Sequence, residues 1–251
     1  MLRFIIILFS FLVTGNDELQ TGIKYYNDRA LVCKGLVADA TNVDKAIQVF
    51  EKELAKDPNS EAAGFYYIQC LNFKGRFTAV SGDDKKTIFG KAVKKGNELI
   101  RLYPKSGRLR FALLTAIGSL GESSGIMKAA ESGVLNQVLL HSKMLIQTDS
   151  MYNSGSGWKV LGILNYKTPS IPLVLTWPDK AYAKTLLQKA LKYFPADLSN
   201  NYYYAECLLE SGEKVQAKIY FQLVLKLPTR KELYLEDESM KVEAKKMLAK
   251  L

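Results

Sequence analysis

The chain has 251 residues, 48% of them hydrophobic and 24% charged, with 17 Gly and 7 Pro. That composition excludes a collagen-like fibre, a disordered low-complexity chain and a polytopic membrane protein, and it leaves enough apolar material for a sizeable core. The 35 Lys and Arg against 25 Asp and Glu give a net charge of +10, which a single His leaves insensitive to moderate pH changes. Acidic partners are favoured, and residues 101–200, with 12 basic and 5 acidic side chains, carry most of the excess. Basic runs interleaved with aromatics are missing, so nucleic acid is not an expected partner.

The first element in chain order is Phe4 to Val13, apolar except for Ser10 and preceded by Arg3. Such a run is too short to cross about 30 Å of hydrocarbon as a helix, but it fits the apolar region of a secretory leader. Val13 and Gly15 stand at −3 and −1 of a cleavage before Asn16. Residues 1–15 are therefore expected to be a signal peptide that exports the chain to the periplasm or cell envelope, with membrane association if the segment stays uncleaved. No Cys follows closely, so a lipoprotein signal is absent. Residues 16–251 are expected to form a single domain.

Beyond the leader, helical patterns alternate with regular stops. Pro58, Pro104, Pro195 and Pro228 each close a helix, because Pro lacks the backbone donor and clashes with the preceding turn. Apolar stripes precede them: Ala46, Phe50 and Leu54; Ala92, Leu99 and Leu102; Ala183, Leu187, Ala190 and Leu191; Ala217, Phe221, Val224 and Leu225. Strand signals are scarce. Only Ile171 to Thr176 could be extended, and its prolines favour a loop.

The stop-to-stop intervals of 46, 91 and 33 residues suggest helical repeats with insertions. Trp158, Leu161 and Gly162 match the opening of the tetratricopeptide first helix, with Asn165 where Tyr is expected. Second helices repeat a small residue, a large one four places on and the closing Pro: Ala46, Phe50 and Pro58; Ala183, Leu187 and Pro195. In the unit of Ala92 the large place is taken by Gly96. Small residues let two helix backbones approach, and one pair cannot bury its apolar face alone. The expected fold is all-α: tetratricopeptide-like stacked helical hairpins forming an α-solenoid.

Lys167 to Trp177 interrupts the repeat, and the next helix is expected to open with Pro178 in its first turn. From here the chain resembles the T component of tripartite ATP-independent periplasmic (TRAP) transporters and related tetratricopeptide-like proteins. The resemblance is carried by Leu161, Gly162 and Leu164; Pro169 and Pro172; Asp179, Ala181 and Ala183; Ala205, Glu206, Leu208 and Gly212; and the acidic-to-basic segment from Tyr234 to Leu251. It covers roughly residues 105–251 and implies binding without chemistry.

Residues that could carry chemistry are few. His141 is the only His and sits on a probable helix. Asp83 with Asp84, and Glu236 to Glu238, are adjacent and diverge by about 100° on a helix, as turn or helix-start acids do. Gly155-Ser156-Gly157 lacks the P-loop Lys and reads as a helix-entry loop. Cys33, Cys70 and Cys207 show no metal spacing; they read as buried free thiols or as one disulfide with a free thiol. No catalytic activity, metal or cofactor is expected, and a hydrolase using His141 is the reading from another class.

First helices of such an array line its groove. The expected partner-binding residues are Gln69, Asn72, Thr115, Lys159, Tyr166, Tyr202 and Glu206, with Trp158 and Trp177 beside the insertion. Tyr202, Tyr203 and Tyr204 cannot all face one way, so one or two should pack between helices. The expected function is an exported, non-enzymatic adaptor for a protein or peptide, with a transporter subunit, a small organic ligand or a second copy as further partners. The alternative is a generic scaffold for cell-envelope complexes.

Overall fold

The computed structural model describes residues 17–125, 128, 132–169 and 175–251. The expected leader at 1–15 and residues 170–174 of the insertion lie outside them. Helices follow the apolar spacing: α1 (17–27), α2 (Thr41–Lys56), α3 (Glu61–Phe77), α4 (Gly82–Leu102), α5 (Gly107–Ser124), α6 (Val134–Asp149), α7 (Tyr152–Lys167), α8 (Lys180–Tyr193), α9 (Leu198–Glu210), α10 (Lys214–Lys226) and α11 (Tyr234–Leu248). A 3₁₀ turn, Lys231–Leu233, leads into α11. The fold divides into two compact units, one ending at Ser123 and one beginning at Ser124.

The stops share a chemistry. Asp57, Tyr103 and Phe194 terminate α2, α4 and α8, each donating its backbone N–H to the carbonyl of Glu53, Leu99 or Ala190. A Pro follows each, and two residues later comes an oxygen that caps the next helix. Ser60 Oγ accepts from the Ala63 N–H at 3.3 Å, Ser106 Oγ from the Leu109 N–H at 3.3 Å, and Asp197 Oδ1 from the Asn200 N–H at 2.9 Å. Pro thus ends one helix, and Pro-x-Ser or Pro-x-Asp starts the next by satisfying a donor that has no partner within it. Each cap is worth about 1 kcal/mol.

The expected stripes are the buried faces. Val43, Ala46, Phe50 and Leu54 are buried on α2, Ala183, Leu186, Leu187 and Ala190 on α8, and Ala217, Phe221 and Val224 on α10. Leu102 departs from this: it is 52% exposed at the end of α4, where Leu99 and Ile100 enter the core instead. Close approach explains the small residues. A Cβ on Gly162 would lie 2.8 Å from Leu187 Cγ and 3.3 Å from the Ala183 carbonyl oxygen. At Gly96 a Cβ would lie 2.9 Å from Leu113 Cδ1, so the space that a large second-helix residue fills elsewhere is filled from α5.

Three local features differ from expectation. Pro178 precedes the N-cap of α8 rather than occupying its first turn; Asp179 Oδ1 accepts from the Ala181 and Tyr182 N–H groups at 2.8 and 3.0 Å. Those two donors leave Asp179 as the boundary, with Pro178 outside the helix. An unexpected antiparallel hairpin joins Cys33–Lys34 to Val37–Ala38, turning through Gly35 at φ +61°, and Ala38 bridges to Thr78. Two-residue strands are too short to show alternation in sequence. The third is the start of α7, where Asn153, Ser154 and Gly155 have φ of 45°, 58° and 73°. This left-handed turn sets the entry angle of the helix from Ser156 onward, and Asn200 Nδ2 holds it by donating to the Ser154 carbonyl at 3.1 Å.

Candidate functional site

In the unit that begins at Ser124, α7 and α9 are first helices of successive pairs. Tyr166 and Lys167 end α7, and Tyr202 and Glu206, four residues apart, share one face of α9. The spacing brings them together. Tyr166 Oη donates to Glu206 Oε2 at 2.8 Å, Tyr202 Oη donates to Glu206 Oε1 at 3.0 Å, and Lys167 Nζ pairs with Glu206 Oε2 at 2.9 Å. Lys167 also lies 5.9 and 5.8 Å from the ring centroids of Tyr166 and Tyr203.

The rings of Tyr166 and Tyr202 are buried in the core with Ala183, Leu187, Ala205 and Phe221, while Lys167 is exposed. Burial, reinforced by the Glu206 charge, pushes both phenols well above their ordinary value, so they remain hydrogen-bond donors at neutral pH. The cluster is an anionic acceptor fixed by two neutral donors and one cation. It can orient a partner's cation or amide.

Lys159, also an expected groove residue, points into a different network. It is buried, with Nζ 2.5 Å from Ser199 Oγ and 3.6 Å from Asp197 Oδ1. Arg230 Nη1 reaches Asp197 Oδ2 at 3.0 Å, and Arg230 Nε and Nη2 grip Asp237 at 2.9 and 2.6 Å. Burial lowers the Lys159 ammonium below its ordinary value, opposed by Asp197. Burial also acts against ionisation of Asp197, but Lys159, Ser199, the Asn200 N–H and Arg230 outweigh it and hold that carboxyl below its ordinary 3.8. Two cations and two carboxylates alternate from α7 through the α9 cap to α11, so Lys159 is a packing residue and not a groove residue.

The remaining expected residues have surroundings of their own. Asn72 is buried, donating Nδ2 to the Ala112 carbonyl at 3.1 Å, and so ties α3 to α5. Thr115 is partly buried and donates to the Phe111 carbonyl at 3.1 Å, within its own helix. Trp158 is 4% exposed, stacked on Tyr193 at 5.5 Å with Lys189 over the ring, which corrects its assignment to a ligand surface. Helical wheel position alone cannot separate a groove residue from one packed against the next pair. Gln69, Trp177 and His141 are partly exposed. Among the described residues all three cysteines are free thiols, and no group of His, Cys, Asp or Glu is placed to hold a metal ion.

Sequence reasoning missed Lys167 and Arg230. Lys167 follows Tyr166 directly and was legible as a cation at the helix end; Arg230 lies in a loop, where no periodicity marks it. It also gave Asn165 no role beyond a mismatch. Asn165 Oδ1 accepts from the Asp179 N–H at 3.1 Å while its Nδ2 donates to the Leu161 carbonyl, fastening the far end of the insertion to α7. A shallow cleft of about 380 Å³ is lined by Gln188, Leu191, Lys192, Asn201, Tyr204, Tyr220 and neighbours on α8, α9 and α10, and neither Trp158 nor Trp177 is among its lining residues.

No protein-family model matches the chain, and no curated protein matches it. Solved structures do resemble it. One is TTC0263, a thermophilic TPR protein of Thermus thermophilus, with TM-score 0.65, 16% identity and coverage of 94% of this chain and 99% of that one. The pilF protein of Pseudomonas aeruginosa aligns with TM-score 0.54 and 16% identity over 94% of this chain and 90% of its own. MamA aligns with TM-score 0.52 and 14% identity over 92% and 94%. The fold is thus a tetratricopeptide-like α-solenoid of helical hairpins. None of these three is described as a transporter T component, and identities this low concern the fold alone.

Proposed function

We propose that the chain is a non-enzymatic tetratricopeptide-like scaffold that binds a protein partner through the first helices α7 and α9. The observation that carries this reading is the Glu206 cluster, in which two buried tyrosines and an exposed Lys167 hold one carboxylate at the edge of the core. A polar group fixed before binding pays little entropy when a partner arrives. The apolar run from Phe4 to Val13 supports the further proposal that the scaffold acts in the cell envelope after export.

The narrower reading, a TRAP-transporter T component, rests on the pattern that runs from Leu161, Gly162 and Leu164 through Pro169, Pro172, Asp179, Ala181, Ala183, Ala205, Glu206, Leu208 and Gly212 to the segment from Tyr234 to Leu251. Gly162 serves close approach to Leu187 and Asp179 caps α8, roles that any helical hairpin needs. The generic scaffold is therefore preferred. The test is capture from the native envelope with the full chain and with Lys167→Glu. Stoichiometric recovery of one protein by the wild type, lost in the variant at unchanged thermal stability, supports the reading. Undiminished recovery by the variant moves the site elsewhere, recovery of transporter subunits favours the narrower reading, and recovery of nothing removes the scaffold.

A further inference from the structure

Helices α8 and α10, the second helices of two successive pairs, both pack against α9 and, with its Asn201 and Tyr204, line the shallow cleft. Their sequences, KAYAKTLLQKALKY and KVQAKIYFQLVLK, contain seven lysines and no acidic residue. Two lysines at the N-terminal end are neutralised, Lys184 by Glu213 at 2.7 Å and Lys180 by Glu210 at 3.8 Å. Among the described residues, no carboxylate pairs with Lys189, Lys192, Lys214, Lys218 or Lys226.

The same face is apolar. Val215, Ile219 and Leu223 recur every four residues along α10 and are 73%, 58% and 37% exposed. A stripe at that spacing normally lies against a neighbouring element. Here it runs to Leu223 at the wall of the 380 Å³ cleft, where Leu191, Tyr204 and Tyr220 form an apolar floor and Gln188, Lys192 and Asn201 a polar rim. The floor is rigid: Tyr204 and Tyr220 pack edge to face at 4.8 Å, and Gln188 donates to Tyr204 Oη at 2.9 Å.

We propose that α8 and α10 form a second docking surface, whose occupant is an acidic amphipathic protein segment. Such a segment places a large apolar side chain in the cleft, lays its apolar edge on Ile219 and Val215, and sets its carboxylates against Lys192, Lys218 and Lys226. Charge complementarity selects an acidic partner, because a basic helix would set its own cations against Lys192, Lys218 and Lys226 and a neutral one would leave them without a counter-charge. The cleft favours a peptide over an anionic lipid surface, since a planar headgroup layer cannot fill a recess between two helices.

The test uses the full chain and a fluorescent helical peptide with Leu and Phe on one face and Glu on the other. Saturable binding is expected, falling as salt rises and weakened about tenfold or more by Ile219→Glu or Lys218→Glu. Both positions are exposed, and circular dichroism melts confirm that each variant keeps its fold. The proposal is overturned if the peptide does not bind, if a version with Lys in place of Glu binds equally well, or if the double variant binds undiminished. It is also overturned if phosphatidylglycerol vesicles capture the chain while the peptide does not. Ile219→Glu should still recover any partner taken through Lys167 and Glu206, so failure of this surface and failure of that site are separable.

Discussion

The two units reach the same helical-hairpin architecture with different cores. In the unit ending at Ser123, helices approach over glycines. A Cβ at Gly64 would lie 2.0 Å from Leu99 Cδ1, one at Gly75 2.5 Å from Phe89 Cε1, and one at Gly96 2.9 Å from Leu113 Cδ1. Aromatic contacts complete it, with Phe50 stacked on Tyr66 at 5.5 Å and Tyr26 edge-on to Tyr66 at 5.6 Å. In the unit beginning at Ser124, the charge chain Lys159–Asp197–Arg230–Asp237 and the tyrosine–Glu206 cluster replace part of that apolar contact.

The first unit is not free of buried charge, since Arg110 is 1% exposed there. Six residues after the closing Pro, Arg110 donates to the Pro104 carbonyl in one unit, and Asn201 donates to the Pro195 carbonyl at 2.8 Å in the other. Both satisfy a carbonyl in the turn between two helices. Gly64 stands at the same place after Pro58 and has no side-chain donor, so the bond is made in two of the repeats, with different chemistry in each. Apolar contacts tolerate small adjustment, whereas each buried charge depends on a named partner. Single substitutions should therefore cost most where the core is ionic.

The largest effect is expected at Asp237, which is wholly buried and receives Arg230 through three bonds. Asp237→Ala should lower stability by about 3 kcal/mol, read from the urea midpoint at constant slope. Gly64→Ala should cost about 2 kcal/mol, because Leu99 is fully buried and must leave its rotamer; the helix-propensity gain of Ala offsets part of it. If Gly64→Ala proved the costlier of the two, the ranking of ionic over apolar cores would be reversed.

A third prediction concerns acid. The folded Asp197 carboxyl is held below its ordinary 3.8, so the unfolded chain binds the proton first as pH falls. Its contribution is fully present above 3.8 and is lost as pH drops through the folded value. Glu61 behaves likewise in the other unit, lowered by its hydrogen bond to Arg108, against burial, with help from Ser106. Asp197→Asn should flatten the acid limb of the stability profile more than Glu61→Gln, because Asp197 is the more buried. Equal flattening would dissolve the distinction. The smallest effect is expected from Lys184→Ala, which removes a solvent-screened pair with Glu213 and should leave the thermal midpoint unchanged within error.

Much of this was legible because local rules sufficed. Pro58, Pro104 and Pro195 mark helix ends wherever they occur, and the stripes through Phe50, Leu187 and Phe221 require a helix with one buried face. Gly162 matches a tetratricopeptide position, and its distance to Leu187 shows why a small residue is needed there. The candidate site was legible only in part. Tyr166, Tyr202 and Glu206 fall on first helices by pattern, and they do meet. Lys159 and Asn72 fall there by the same rule and are packed inside.

The sequence by itself determined the helices, their stops and the small residues at crossings, since these depend on neighbours within a few positions along the chain. The tertiary structure decided which polar side chains became core. Lys159 and Asp197 stand 38 positions apart, and Arg230 a further 33, so no local pattern announces that one buried chain of charges links them. It also decided which lysines meet a partner and which a cleft: Lys184 reaches Glu213 and Lys189 the Trp158 ring, while Lys192 lines a recess shared by α8, α9 and α10, because these contacts join residues far apart in sequence.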